Sequence, residues 1–133
     1  MKILSKQAHE AYIMLQELAE IKLPFKASLI ISRNLKILQK ESEFYVEQEQ
    51  NFVKTYLEFD QETGMLIQSE PGAFKIQEGK AEECYKARQE LDAFEVDVDI
   101  KKIPCRILEN IELTPAQLLG IEFMLEEEEE END

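Results

Sequence analysis

Three sets of side chains in this 133-residue chain have types and spacing that could do chemistry. Glu95, Asp97 and Asp99 alternate with Val96, Val98 and Ile100, so an extended backbone projects three carboxylates from one face. Hard oxygen ligands in such a row could hold a divalent cation, but no further ligands follow at a defined spacing. Lys26, Arg33, Lys36 and Lys40 fall within roughly 80° of one another at about 100° per residue, which makes them a ridge if the segment is helical. That ridge is either a solvated face or a docking strip for an acidic surface or a phosphate backbone. His9 is the single imidazole, and as a base it would need partners that the sequence does not supply. There is no Gly-rich phosphate loop, no H-E-x-x-H, no Cys/His ligand set and no nucleophile with its base. The expectation is a protein that is not an enzyme and has no metal or other cofactor.

The ridge needs a helix to carry it, and residues 24–56 provide one. Ile31, Leu35, Leu38, Tyr45, Phe52 and Tyr56 recur at steps of four and three, interrupted only by Ser42 and Glu49. A stripe of that length predicts a long helix that another element must cover. Residues 4–21 repeat the spacing through Leu4, Ala8, Ala11, Leu15 and Leu18, with Ser5 predicted as the N-cap. Lys22-Leu23-Pro24 breaks the first helix and opens the second, so the two are expected as an antiparallel hairpin. Past the ridge the second helix turns acidic at Glu41, Glu43, Glu47 and Glu49.

Further along, Asp60 to Gly64 and Pro71-Gly72 have turn chemistry, which predicts a β-hairpin near residues 56–68 and a short extended piece over 73–77. Residues 78–93 read as a helix with Ala81, Cys84, Arg88 and Leu91 in line, flanking the long one. Residues 94–100 alternate without exception and predict an edge strand, and residues 103–108 a connector against the core. Thr114, Pro115 and Gln117 form a capping box, which fixes a helix start at Thr114. Leu118, Ile121 and Leu125 line one side of that last helix, as core or as a contact for a partner.

Composition sets the outer limits. Residues 1–40 hold seven Lys or Arg against three Glu, a charge of +4, and the rest of the chain carries −18, for a total of −14. That balance makes nucleic-acid binding unexpected. Cys84 and Cys105 lack C-x-x-C spacing, and no leader or membrane-length apolar run is visible, so free thiols in the cytoplasm are expected. The organisation expected is one mainly helical α+β domain over residues 1–125, with an acidic, disordered tail over 126–133 holding seven carboxylates in eight residues. The tail serves as a solubilising end, a contact for a basic partner, or a cover for the chain's own ridge.

The layout as a whole, including Val96-Asp97-Val98-Asp99-Ile100, Leu113-Thr114-Pro115-Ala116-Gln117-Leu118 and the Glu-rich end, resembles a domain-of-unknown-function family of small phage and prophage proteins of Gram-positive bacteria. The resemblance implies a phage-encoded protein of no known catalytic role, and the expected location is the host cytoplasm or the virion. The expected function is therefore accessory or assembly work through protein–protein binding, with Lys26, Arg33, Lys36, Lys40, Leu118, Ile121 and Leu125 as the candidate contacts and a homodimer as one option. The alternative is an acidic mimic of nucleic acid that inhibits a host defence nuclease or DNA-binding protein.

Overall fold

The computed structural model describes residues 1–127. In chain order the elements are β1 (Lys2–Leu4), α1 (Ser5–Leu18), α2 (Phe25–Tyr56), β2 (Gln68–Glu70), β3 (Ala73–Phe74), α3 (Ala81–Asp92), β4 (Glu95–Asp97), β5 (Ile103–Pro104), α4 (Pro115–Ile121) and β6 (Leu125–Glu126), with 3₁₀ turns at Cys105–Leu108 and Glu122–Met124. The architecture is α+β and mainly helical, and each sheet is a single pair of strands. No helix among the described residues is long and apolar enough to cross a membrane.

The four-and-three spacing organises the two principal helices as expected. Ala8, Ala11, Leu15 and Leu18 of α1 are all buried, and so are Ala27, Ile31 and Leu38 of α2. The alanines let the antiparallel backbones approach closely, while the leucines and isoleucine interdigitate along the seam. The 32 residues of α2 run without a break, because no Gly or Pro interrupts them after Pro24. Their stripe is covered by the chain's own elements, with Ile103, Ile121 and Met124 completing a core in which each is wholly buried.

One polar residue in this core does the work of a strand. Asn34 is wholly buried; its Nδ2 donates to the Lys101 carbonyl oxygen at 2.8 Å, and its Oδ1 accepts from the Lys101 N–H at 2.9 Å. The carboxamide thus satisfies both backbone groups of a segment that has left β4 and has no strand beside it. Val98 and Ile100, just before Lys101, are buried in the core, while Asp97 and Asp99 face water. The expected alternation therefore holds from Glu95 to Ile100 but not at Phe94, which is 45% exposed, and only Glu95–Asp97 pairs as strand, since β1 offers just Lys2, Ile3 and Leu4.

Three expectations are corrected. Ser5 is not the N-cap of α1, because the chain enters the helix directly from β1. Leu4 holds the cap position with an extended backbone, its N–H donating to Gln7 Oε1 at 2.8 Å. Ser5 N–H instead donates to the Phe94 carbonyl at 2.8 Å, and its buried hydroxyl has no partner among the described residues. The helix that starts at Thr114 has its full capping box, with Thr114 Oγ1 accepting from Gln117 N at 3.2 Å and Gln117 Oε1 from Thr114 N at 2.9 Å. However, it ends at Ile121 rather than running through Leu125. A 3₁₀ turn swings Met124 into the core, and Leu125 and Glu126 pair in parallel with Ile103 and Pro104. The acidic run therefore begins inside the fold at Glu126, and residues 128–133 of the expected tail lie outside the described residues. Close approach fixes α4 against α1: a Cβ on Gly120 would come within 2.4 Å of Met14 Cγ.

Residues 57–76 form the expected hairpin, extended by a third piece. Asp60 Oδ1 accepts from Glu62 N and Thr63 N at 2.8 and 3.1 Å, and Gly64 closes the turn at φ 70°. Phe59 then pairs with Leu66, and Leu57 with Ile76.

Asn34→Ala is expected to leave the Lys101 N–H and carbonyl without partners, at a cost of about 2–3 kcal/mol. Urea unfolding followed by circular dichroism would measure it. A loss below the error of the fit would remove Asn34 as the anchor of this segment.

Candidate functional site

The two interruptions of the α2 stripe, Ser42 and Glu49, are where its polar side chains meet those of the neighbouring helices. Steps of three and four put Ser42, Tyr45 and Glu49 on one face of the helix, directed between α1 and α3. His9 approaches from α1, with Nδ1 2.8 Å from Ser42 Oγ and its ring stacked on Tyr45 at a centroid distance of 5.1 Å. Tyr45 donates its hydroxyl proton to Glu49 Oε1 at 2.9 Å. Arg88 comes from α3, grips both oxygens of Glu49 through its two terminal nitrogens and donates from Nε to Asp92 Oδ1 at 3.1 Å. Its guanidinium carbon also sits 4.8 Å from the centre of the Phe52 ring.

The electrostatics follow from these contacts. Arg88's hydrogen bonds hold the Glu49 carboxyl below the usual carboxylate range, against the opposing effect of burial. The same bonds raise Arg88 further above its ordinary value. Burial, then the hydrogen bond to Glu49, pushes the Tyr45 phenol up to about 12. These contacts run between turns and between helices, so the cluster fastens α1 and α3 to α2. Ser42 and His9 are the types of a nucleophile and its base, but Ser42 is only 4% exposed and the Glu49 oxygens are taken by Tyr45 and Arg88. Beside the cluster lies an open groove of about 520 Å³ lined by His9, Tyr45 and Glu49, with Val46, Val53 and Phe59 as its apolar part; Ser42 does not reach it.

The residues expected to meet a partner are distributed unevenly. Lys26, Arg33, Lys36 and Lys40 are all exposed on the side of α2 away from the core, and none takes part in an ion pair among the described residues. Leu118 is 41% exposed and borders an apolar hollow of about 220 Å³ together with Cys105, Leu113 and Leu125. Ile121 is corrected from contact to core: it is wholly buried, because α4 lies across α1 with that face inward. Leu125 is half-buried in β6 rather than displayed on a helix. Leu119, beside them, is 72% exposed and was not singled out by the spacing argument.

The carboxylate row of β4 does not assemble into a ligand set. Asp97 Oδ1 lies 3.0 Å from the Met1 amine and Asp99 Oδ2 lies 3.7 Å from Lys101 Nζ. No group of three His, Cys, Asp or Glu side chains placed to hold a metal ion occurs among the described residues. Cys84 and Cys105 are free thiols, and burial pushes the Cys84 thiol up, away from reactivity.

The chain matches no described protein family, no curated protein and no solved structure.

Because the folded state lowers the Glu49 pKa, it binds that proton less tightly than the unfolded chain does. The stabilisation is complete above the ordinary glutamate value of about 4.3 and is lost as pH falls through the lowered folded value. Glu49→Gln is therefore expected to be less stable than the parent at neutral pH but to lose less of its urea midpoint between about pH 5 and pH 3. Parallel acid profiles for the two proteins would show that the Arg88 contact contributes nothing to stability.

Proposed function

We propose that this chain is a non-enzymatic accessory or assembly protein, of the phage or prophage kind that its layout resembles, and that it works by binding another protein in the host cytoplasm or on the virion. The observation that carries the reading is the basic row on α2. Four cations stand on one exposed face with no acidic partner in the described fold, on a chain whose total charge is −14. The same face continues into Glu43 and Glu47, yet none of the four cations pairs with a carboxylate among the described residues. The fitting partner is a protein surface with clustered carboxylates. The ridge would speed and orient the encounter, and the exposed Leu118 and Leu119 on α4, which packs on α1, offer apolar area elsewhere on the surface. A nucleic acid fits less well, since the remaining surface would repel its phosphates. Pairing of two copies through the α2 stripe is disfavoured, because Ile31 and Leu38 are already covered.

A second reading, an acidic inhibitor that imitates nucleic acid, is favoured by the outward row of Glu95, Asp97 and Asp99. The ridge separates the two readings. Capture from lysate of infected host cells with the parent chain is expected to retain phage structural proteins. Arg33→Glu combined with Lys36→Glu should weaken that retention roughly ten-fold without changing the circular dichroism spectrum. Equal capture by both chains would contradict the proposal. A nuclease or DNA-binding protein whose retention ignores the reversal and fades steeply with salt would establish the second reading instead.

A further inference from the structure

The side of α2 that faces α3 carries a second feature, built from different chemistry. Between the two helices lies a groove of about 310 Å³ lined by Phe44, Phe52, Tyr56 and Phe94. The rings stand in two tilted pairs, Phe44 with Phe94 at a centroid distance of 5.7 Å and Phe52 with Tyr56 at 5.3 Å. The helical rise separates Phe44 from Phe52 by about 12 Å, so the pairs stand at opposite ends of the hollow. Phe44 and Phe94 are 38% and 45% exposed, which leaves their end open to solvent. Among the described residues no cation lines the groove, and Glu90, exposed on α3, is the lone carboxylate that does.

Aromatic faces carry the negative part of the ring quadrupole, and four rings beside one carboxylate, with the neutral Gln48, Asn51 and Thr55 between them, favour a positive guest. A bulky, weakly hydrated cation suits it best, because such an ion loses little on leaving water and gains contact with several rings. Phe52 already accepts a cation from within the chain, the Arg88 guanidinium. Arg88 does not make the groove positive, since Glu49 and Asp92 both bond to it.

We infer that this groove binds an organic ammonium ion of the trimethylammonium class, seated between the two aromatic pairs with its charge toward Glu90. The inference is independent of the basic ridge and stands or falls without it. The same headgroup could arrive as a free small molecule or on a methylated lysine side chain of a protein, and the ring contacts would be shared.

The test is a titration of the intact chain, followed through its aromatic NMR resonances, with choline and with 3,3-dimethylbutan-1-ol, the uncharged molecule of the same shape. Choline is expected to shift the groove's phenylalanine signals and to bind roughly ten-fold tighter than the alcohol. Glu90→Gln, at an exposed position, should weaken choline several-fold and leave the alcohol unchanged, and Phe94→Leu should weaken choline more than the alcohol. A short peptide carrying trimethyllysine, titrated alongside, would distinguish the sources: tighter binding than choline assigns the site to a protein side chain, weaker binding to a free ion. Equal affinity for choline and the alcohol would reduce the groove to an ordinary apolar hollow and overturn the inference. Absence of any shift from choline would overturn it as well.

Discussion

A 32-residue helix whose inward stripe contains Asn34 and Ser42, both buried, and the half-buried Glu49 is the constraint on which this fold depends. Each of these polar side chains would be costly to bury alone. Each meets a different part of the chain: Asn34 the backbone of Lys101, Ser42 the imidazole of His9, Glu49 the guanidinium of Arg88. The three contacts lie along α2 at intervals of about two turns and hold the β4–β5 connection, α1 and α3 in turn. Apolar packing supplies the greater part of the burial energy, but it permits sliding of one helix along another. A hydrogen bond with a fixed partner does not. The net worth of each contact is modest, about 1 kcal/mol for a neutral pair, whereas the cost of mispairing it is larger. That asymmetry favours one register over its neighbours.

With the stripe consumed internally, the surfaces left for other molecules are those that the fold does not use. They differ in chemistry along the same helix. The first half of α2 presents Lys26, Arg33, Lys36 and Lys40 outward, and the second half presents Glu43 and Glu47, with the aromatic groove against α3 on its flank. An acidic protein surface approaching this molecule is steered toward one end, and a cationic group toward the other. The long helix is thus both the spine of the core and the support for two surfaces of opposite preference.

The helical skeleton was legible because it depends on local spacing. Ala8, Ala11, Leu15 and Leu18 announced α1, the four-and-three stripe announced α2, and Thr114-Pro115-Gln117 marked the first turn of α4. What escaped depends on partners distant in sequence. Lys2–Leu4 looks like nothing by itself and becomes a strand only because Glu95–Asp97 lies beside it; Ser5 lost its capping role for the same reason. Ser42 and Glu49 were visible as breaks in the pattern, yet no spacing rule connects them to His9 or Arg88. Asn34 was invisible, since an apolar periodicity has no means of showing that an amide belongs inside. Ile121 was seen to face one way with Leu118, but which way is inward was decided by the crossing of α4 over α1 at Gly120.

The most direct test of the account is a double-mutant cycle between Glu49 and Arg88, using Glu49→Gln, Arg88→Gln and the pair, with urea unfolding at pH 7 as the measure. If the half-buried Glu49–Arg88 contact fixes how α3 lies on α2, the coupling energy should exceed about 1 kcal/mol, and the double variant should be less damaged than the sum of the singles. Additive losses, with coupling near zero, would mean that apolar packing alone sets the register and that the polar breaks in the stripe are incidental.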